Sequence, residues 1–165
     1  MQEFKIKEAT RVDLPELMML YVHLHDSPLT SIDKYIESVW SRIEKNENHH
    51  VLVGFSDEKM VSSCNIIVIE NIAGHHHQRP YALIENVITH PDFRKRGYAS
   101  LILSAAKDIA IKSNCYKIML MTGSKHESTL NFYRRAGYNS NDKTAFIQWL
   151  AATDPPLNGL HFWRK

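Results

Sequence analysis

Apolar and polar residues along the chain follow two different periods, and the changes of period predict ten elements of secondary structure. Six short runs that alternate or are continuously apolar are typical of β-strands, and four stretches with apolar residues three and four positions apart are typical of amphipathic helices. The predicted order is β-α-α-β-β-β-α-β-α-β. The predicted strands begin with Phe4 and Ile6 and continue at residues 50–56, 60–70, 81–90, 116–122 and 144–150, and the predicted helices cover residues 12–25, residues 32–43, the stretch after Gly97 and residues 127–136.

Residues with known preferences for helix ends support these assignments. Thr10 precedes Asp13 by three positions, which is an acidic variant of the capping box that opens a helix. Gly137 follows the last predicted helix at a position where glycine often takes a left-handed conformation. The whole pattern predicts a mixed α/β fold, with one domain over residues 1–150 and an extension of unassigned role at residues 151–165.

Each predicted helix has one apolar face that we expect to be buried. In the second helix this face includes Tyr35 and Trp40, which lie among aliphatic residues at helical spacing. In the helix after Gly97 the expected buried residues are Tyr98, Leu101, Ile102, Ala105 and Ile109.

The composition is that of an ordinary globular domain and excludes several classes of protein. Lys and Arg together number 20 and Asp and Glu 18, so the formal charge of +2 is too balanced for a surface that binds duplex nucleic acid by displacing counterions. The two cysteines, Cys64 and Cys115, form no paired framework, which favours a reducing compartment. No apolar run approaches the length of about 18 residues that spans a bilayer, and the N-terminus lacks a signal-peptide pattern. We therefore expect a cytoplasmic protein with neither nucleic acid nor membrane as a partner.

Two groups of neighbouring histidines, at residues 49–50 and 75–77, raise the question of a metal site. Adjacent histidines in one loop rarely all face a single ion, and no Asp, Glu or Cys stands at ligand spacing beside them. The sequence therefore favours a solvated loop at residues 75–77 and no metal.

The stretch at residues 87–100, VITHPDFRKRGYAS, carries the most informative chemistry. An apolar strand ends there, and a helix begins within a few residues of Arg94, Arg96 and Gly97. Free amides at a helix start, the positive end of the helix dipole and adjacent guanidinium groups together form a site for phosphate or pyrophosphate. A glycine lets the phosphate approach the backbone, and the P-loop and Rossmann motifs are absent. On spacing alone, a solvated basic turn explains the stretch equally well.

Two motifs make the chain similar to the GNAT superfamily of N-acetyltransferases. RKRGYA at residues 94–99 resembles its [Q/R]-x-x-G-x-[G/A] signature between a strand and a helix, and NFYRRAGY at residues 131–138 resembles its FYxxxGF element. The predicted order of elements also matches, over residues 2–150. Within the superfamily, IENV at residues 84–87 and NCYKI at residues 114–118 are most similar to glucosamine-6-phosphate N-acetyltransferases. The resemblance implies the fold of that superfamily, a central mixed sheet flanked by helices.

The resemblance also implies acetyl-CoA as a co-substrate. The pyrophosphate would lie on the backbone amides of residues 96–100, and the pantetheine arm would pair with the backbone of residues 87–89. The amide of either Val87 or Ile88 would polarise the thioester carbonyl, as an oxyanion hole does. Many relatives have an asparagine where this chain has His126, and a histidine can also donate a hydrogen bond to the cofactor. The implied cofactor-binding residues are Val87, Ile88, Thr89, Arg94, Lys95, Arg96, Gly97, Tyr98, Ala99, Ser100 and His126.

Acetyl transfer to an amine requires two proton movements. A primary amine has a pKa of about 10, so only about 0.1% is free base at pH 7, a deficit of roughly 4 kcal/mol. Glu85, a carboxylate within an apolar strand, is the candidate general base, acting directly or through water; the alternative is that it pairs with a basic residue. Tyr133 matches the tyrosine that protonates departing coenzyme A in the superfamily; the alternative is an aromatic residue that only packs on its helix.

The acceptor is the least determined part of the predicted function. The leading hypothesis is a primary amine of a small molecule: an amino sugar, polyamine, amino acid or aminoglycoside. A protein lysine or N-terminus is one alternative, and a non-catalytic regulatory module that binds acyl-CoA is another. A pocket closed by the first two helices would favour the small molecule, and an open groove would favour the protein. A homodimer is common for this fold and is an expectation by analogy only.

Overall fold

The structure is a computed structural model, and it describes residues 3–25, 31–72, 78–148 and 150, except for the side chain of His25. The strands are β1 (Phe4–Glu8), β2 (His49–Ser56), β3 (Lys59–Ile69), β4 (Tyr81–Thr89) and β5 (Ile118–Leu120). The α-helices are α1 (Leu14–His25), α2 (Lys34–Glu44), α3 (Tyr98–Lys112) and α4 (Glu127–Arg135), and short 3₁₀ turns at Arg11–Asp13 and Pro91–Phe93 precede α1 and α3.

The five strands form one sheet in the order β1-β2-β3-β4-β5. Neighbouring strands are antiparallel from β1 to β4, whereas β4 and β5 are parallel. The β2–β3 hairpin turns at Asp57, whose φ of 54° is left-handed, a conformation that aspartate tolerates. Parallel strands need a long crossover connection, and α3 supplies it between β4 and β5. The predicted mixed α/β class and the order of the elements up to α4 are confirmed.

Helices cover both faces of the sheet and create two apolar cores that share its central strands. The core under α3 consists of Leu52, Cys64, Ile66, Ala82, Ile84, Ile102, Leu103, Ala106 and Ala110. The core under α1 and α2 consists of Leu14, Leu17, Leu20, Trp40, Val51, Val53, Met60 and Ile88. Because side chains of β4 pack into both cores, the strand is held between the two layers of helices.

The predicted capping box is present at the start of α1. The Asp13 carboxylate accepts hydrogen bonds from the Thr10 amide (2.8 Å) and the Thr10 hydroxyl (2.9 Å), and from Lys7 Nζ (2.8 Å). Burial alone would raise the pKa of Asp13, but the bonds from Lys7 and Thr10 outweigh it and lower the pKa. The α-helix itself begins at Leu14, since the capped turn at Arg11–Asp13 is a 3₁₀ turn.

The buried faces of two helices differ from the predicted ones. Leu101 is 48% exposed, because α3 packs through residues four positions apart, where two small alanines allow close approach to the sheet. This stripe consists of Tyr98, Ile102, Ala106 and Ala110. On α2, Trp40 is buried as expected, but Tyr35 is 72% exposed because it lies at the margin of the apolar face.

The predicted strand at residues 144–150 is wrong for the part that the structure describes. Residues 144–148 are not in a strand, and Phe146 is 93% exposed. An alternating pattern shows only that a segment suits a sheet, whereas strand formation also needs a partner edge, and β5 is only three residues long. Trp149 and residues 151–165 lie outside the described residues, as does the histidine loop at residues 75–77.

Candidate active site

The candidate active site begins where β4 and β5 separate. The two strands pair only through Ala82–Ile84 of β4 and Ile118–Leu120 of β5. From Glu85 to Thr89, β4 continues beyond the last residue of β5 that pairs with it. A parallel pair that separates in this way leaves a gap in which backbone amides on one edge of β4 have no strand partner among the described residues.

A β-bulge lies on β4 at the point of separation. On β3, Asn65 is opposite Glu85 and Ser63 is opposite Ile88, so two residues of β4 face one residue of β3. The first of these two, Asn86, has a φ of 53°, and asparagine adopts this left-handed conformation more readily than most residues. A bulge bends its strand and increases its twist, and this one therefore accounts for the turn of β4 away from β5.

The direction of the backbone amides on β4 shows which of them face the gap. The His90 amide donates to the Val61 carbonyl of β3 (2.8 Å). Backbone groups alternate between the two edges of a strand, so the Ile88 amide also faces β3. The amides of Val87 and Thr89 consequently face the gap, whereas the amide of Ile88, the other predicted oxyanion donor, faces β3.

The loop before α3 is exposed, positively charged and built on two left-handed residues. Lys95 has a φ of 62° and Gly97 a φ of 85°, whereas Arg96 between them does not have a positive φ. Backbone in which the sign of φ alternates turns successive amides toward one side, as in anion-binding nests. Arg94 Nε donates to the Thr89 carbonyl (3.1 Å), and Arg96 to the backbone (3.1 Å). Among the described residues no carboxylate forms an ion pair with these cations. Their charge is therefore available to an anionic ligand.

The start of α3 adds further free amide groups. The Leu101 amide donates to the Gly97 carbonyl (3.1 Å), which is the first bond of the helix, so the amides of Tyr98, Ala99 and Ser100 have no acceptor within it. A Cβ atom placed on Gly97 would have no described atom within 4 Å. The space beside these amides is open, and a phosphate group can approach the backbone there.

Tyr98 joins this cradle only through its backbone. Its side chain is buried, its ring stacks on Phe4 with 4.3 Å between ring centroids, and its hydroxyl lies 3.1 Å from the Ser56 hydroxyl. The side chain of Tyr98 therefore anchors the start of α3 to the sheet.

Glu85 lies on the face of β4 that α1 covers. It is opposite Asn65, which in turn is opposite Val51, a member of the core under α1. Glu85 is half-buried, and its carboxylate makes no hydrogen bond or ion pair with any residue that the structure describes. The alternative that Glu85 serves to pair with a basic residue thus has no support there. No motif in the sequence indicates Tyr21, whose hydroxyl donates to Asn65 Oδ1 (3.0 Å).

Tyr133 lies on α4 and packs against the core under α3. Burial, together with the nearby Cys64 thiol, raises its pKa; Cys64 is the β3 residue between Ser63 and Asn65, opposite the bulge. A second phenol, Tyr138, meets Tyr133 edge to face at 6.1 Å, and burial raises its pKa to about 12. Both phenols are therefore protonated at neutral pH and can donate. Tyr138 ends the motif at residues 131–138, but the motif does not indicate that the two phenols are neighbours.

The contacts of His126 and of the described histidines of the first group, His49 and His50, place these residues outside the gap between β4 and β5. His126 is the exposed residue before α4, and its side chain does not cap that helix. His50 Nδ1 lies 2.8 Å from Glu8 Oε1. Within the ranges given above, no three His, Cys, Asp or Glu side chains come together as metal ligands would. No helix in the same ranges is both long and apolar enough to cross a membrane.

A sheet that opens between β4 and β5, a glycine loop at the start of the following helix and a tyrosine on the next helix define the acyl-CoA N-acyltransferase class of fold. The chain belongs to the acetyltransferase (GNAT) family, whose profile matches residues 15–138. An uncharacterised N-acetyltransferase of Methanocaldococcus jannaschii is 26% identical over 156 residues, which are 89% of this chain. The match covers 65% of the length of that relative.

Solved structures of acetyltransferases have the same fold. A provisionally assigned acetyltransferase from Agrobacterium tumefaciens superposes with a TM-score of 0.80 at 29% identity, over 88% of this chain and 99% of that one. The glucosamine-6-phosphate N-acetyltransferase of Arabidopsis thaliana gives a TM-score of 0.74 at 17% identity, over 93% of this chain and 100% of that one. At 17% identity the likeness shows the fold and leaves the acceptor open.

Proposed function

We propose that this chain transfers the acetyl group of acetyl-CoA directly to a primary amine of a small molecule. The observation that carries the proposal is the open cradle at Gly97, which lies next to the free edge of β4. Unpaired cations and free amides there suit a pyrophosphate, and the edge beyond the bulge suits an extended amide-containing arm. One ligand, a coenzyme A thioester, would satisfy both features.

The residues divide between the two ends of that ligand. The amides of residues 97–100 would hold the pyrophosphate, with Arg94, Lys95 and Arg96 supplying positive charge. The backbone of Val87 and Thr89 would pair with the pantetheine amides, and the exposed His126 would donate from the start of α4. The Val87 amide, which points into the gap, would donate to the thioester oxygen as negative charge develops on it.

The chemical step uses two groups on opposite sides of β4. Glu85, directly or through a water molecule, takes the proton from the ammonium group so that the nitrogen lone pair can attack the thioester carbon. The attacking nitrogen loses its second proton to water, the C–S bond breaks, the sulfur takes the proton of the Tyr133 phenol, and the phenolate is reprotonated from solvent. The described cysteines are poor nucleophiles, because burial raises the pKa of Cys64 to about 12 and also raises that of Cys115. This supports direct transfer, without an acetyl-cysteine intermediate.

A small-molecule acceptor is supported by the cover over Glu85. Helix α1 lies across this face of β3 and β4, and its Tyr21 reaches Asn65 beside Glu85. Helix α1 thereby narrows the access of an amine to the Glu85 carboxylate on this face of the sheet. A peptide would need an open groove along this face.

Thiol release from acetyl-CoA, measured with a panel of amines, tests the proposal. The panel contains glucosamine 6-phosphate, polyamines, amino acids, aminoglycosides and a lysine peptide. We expect one class of small amine to stimulate release, and we expect Tyr133→Phe to lower kcat at least tenfold with unchanged affinity for acetyl-CoA, because only a proton donor is lost.

Tyr138→Phe is the matched control, since it removes the neighbouring phenol and keeps the ring. It should retain the wild-type kcat. Stimulation by the lysine peptide alone would contradict the small-molecule acceptor. Equal kcat for Tyr133→Phe and wild type would contradict the role of Tyr133, and the absence of acetyl-CoA binding would contradict the proposal as a whole.

A further inference from the structure

Three polar side chains, those of Tyr21, Ser63 and Asn65, interrupt the apolar face that α1 covers. Tyr21 and Asn65 are 44 positions apart in sequence, and their side chains meet in one hydrogen bond, from Tyr21 Oη to Asn65 Oδ1 at 3.0 Å. Asn65 is 7% exposed. Burying polar groups among aliphatic residues is costly unless they are paired, so the pair calls for an explanation beyond packing.

The bond fixes the orientation of the Asn65 carboxamide. Because Oδ1 accepts from Tyr21, the Nδ2 group with its two donors points away from Tyr21, and no residue that the structure describes accepts from it. Burial raises the pKa of Tyr21 to about 12. The phenol is therefore a donor at every pH at which the enzyme would work, and the orientation of Asn65 does not depend on pH.

Glu85 is the nearest acceptor that the strand register offers to Asn65 Nδ2. The two residues are directly opposite each other on antiparallel β3 and β4, on the same face of the sheet. Directly opposite residues have Cβ atoms about 5 Å apart, which an amide and a carboxylate can span with one hydrogen bond. Immediately after Glu85 the register slips at Asn86, so Glu85 is the last β4 residue held by regular pairing before the bulge.

We propose that Tyr21 and Asn65 are positioning residues for the acetyl transfer: Tyr21 orients Asn65, and Asn65 Nδ2, which makes no bond to the Glu85 carboxylate here, donates to it when the acceptor amine is bound and so holds it toward that amine. This rests on the proposed function of Glu85 as the general base. Without the pair, a half-buried glutamate next to a bulge would have several rotamers, and a base acts efficiently only when it is held within hydrogen-bond reach of the proton.

Asn65→Asp is the most informative variant. An aspartate keeps an acceptor for the Tyr21 hydroxyl but replaces the carboxamide NH₂ group by a second negative charge opposite Glu85. Like charges at this distance disfavour ionisation, so we expect the acidic limb of the pH profile of kcat/KM for the amine to move up by about one pH unit, which lowers kcat/KM about tenfold at any pH on that limb. Tyr21→Phe should lower kcat without that displacement, since it removes the orienting bond and adds no charge.

Asn46→Asp is the matched control. Asn46 is exposed, and its Oδ1 likewise accepts one hydrogen bond, from the Asn48 amide (3.0 Å), so the variant adds the same charge and keeps the same kind of bond away from Glu85. Its pH profile should match wild type. The affinity for acetyl-CoA and the unfolding temperature of every variant show that the protein is folded.

Glu85→Gln separates this inference from the function on which it rests. If Glu85→Gln lowers kcat/KM at low pH while Asn65→Asp leaves the acidic limb in place, the positioning role is wrong and the base remains. If Asn65→Asp only lowers the unfolding temperature and leaves the profile unmoved, Asn65 is structural and the inference is overturned. If Glu85→Gln has the wild-type pH profile, the base assignment fails and the positioning role fails with it, even if acetyl transfer itself is observed.

Discussion

Gly97→Ala should separate the affinity for acetyl-CoA from the stability of the protein. Gly97 has a φ of 85°, and a Cβ in this left-handed region costs about 1 kcal/mol. That cost corresponds to a fall in unfolding temperature of roughly 2–4 °C for a chain of this size. The methyl group itself meets no described atom within 4 Å, so the protein has room for it.

The ligand would not have that room. The methyl group would occupy the space through which a phosphate reaches the amides at the start of α3. A hydrogen bond to a charged group contributes about 1.5–3 kcal/mol, so the loss of one such bond weakens binding about tenfold or more. Calorimetric titration with acetyl-CoA measures this loss directly.

Gly137→Ala supplies the matched control, because Gly137 has a φ of 93° and equally open surroundings but follows α4. The two variants should lose similar stability, and only Gly97→Ala should lose affinity. If both bind acetyl-CoA as wild type does, the cradle at Gly97 does not hold the pyrophosphate, and the assignment of the ligand is refuted.

Two further predictions concern the scaffold. Asp13→Asn should lower the free energy of unfolding by about 1–3 kcal/mol at pH 7, since it weakens the bonds from Lys7 and Thr10. Because the folded-state pKa of Asp13 is lowered, this stabilisation is present above the unfolded pKa of about 3.9 and is lost as the pH falls through the folded value. In denaturant unfolding, the difference in stability between wild type and Asp13→Asn should therefore be smaller in acid than at pH 7, and an equal difference at both pH values would contradict this. Gly54→Val should lower the free energy of unfolding by about 1–3 kcal/mol, because a Cβ at Gly54 would overlap the Phe4 ring, whose Cε2 would be 2.9 Å away. If this variant unfolds at the same denaturant concentration as wild type, Phe4 of β1 packs differently.

The sequence predicts the elements whose signals are local. The capping box at Thr10, the left-handed Gly137 and the apolar runs of β2, β3 and β4 all lie within a few neighbouring residues, and each is confirmed. The strand at residues 144–150 was wrong in its described part because alternation does not reveal whether a sheet edge is available. The prediction that Leu101 is buried is wrong because the spacing of apolar residues fits two neighbouring stripes on α3, and only the close approach at Ala106 and Ala110 selects one.

The candidate site divides in the same way. The loop from Arg94 to Gly97 could be found because its residues are consecutive and their types suit phosphate binding. The bulge at Asn86 could not be found, since it exists only relative to the register of β3. The Tyr21–Asn65 bond is likewise invisible, because no motif links residues that are brought together only when α1 packs on the sheet.

Transfer of a labelled acetyl group within a single turnover tests the central claim most directly. Acetyl-CoA labelled with ¹³C in the acetyl group is mixed with excess protein and the stimulating amine, and the mixture is quenched and examined by mass spectrometry. Direct transfer predicts that the label passes from acetyl-CoA to the amine, with one coenzyme A released per acetylated product and no labelled protein at any time. A labelled protein that forms before the product, or labelled acetate with unmodified amine, would contradict it.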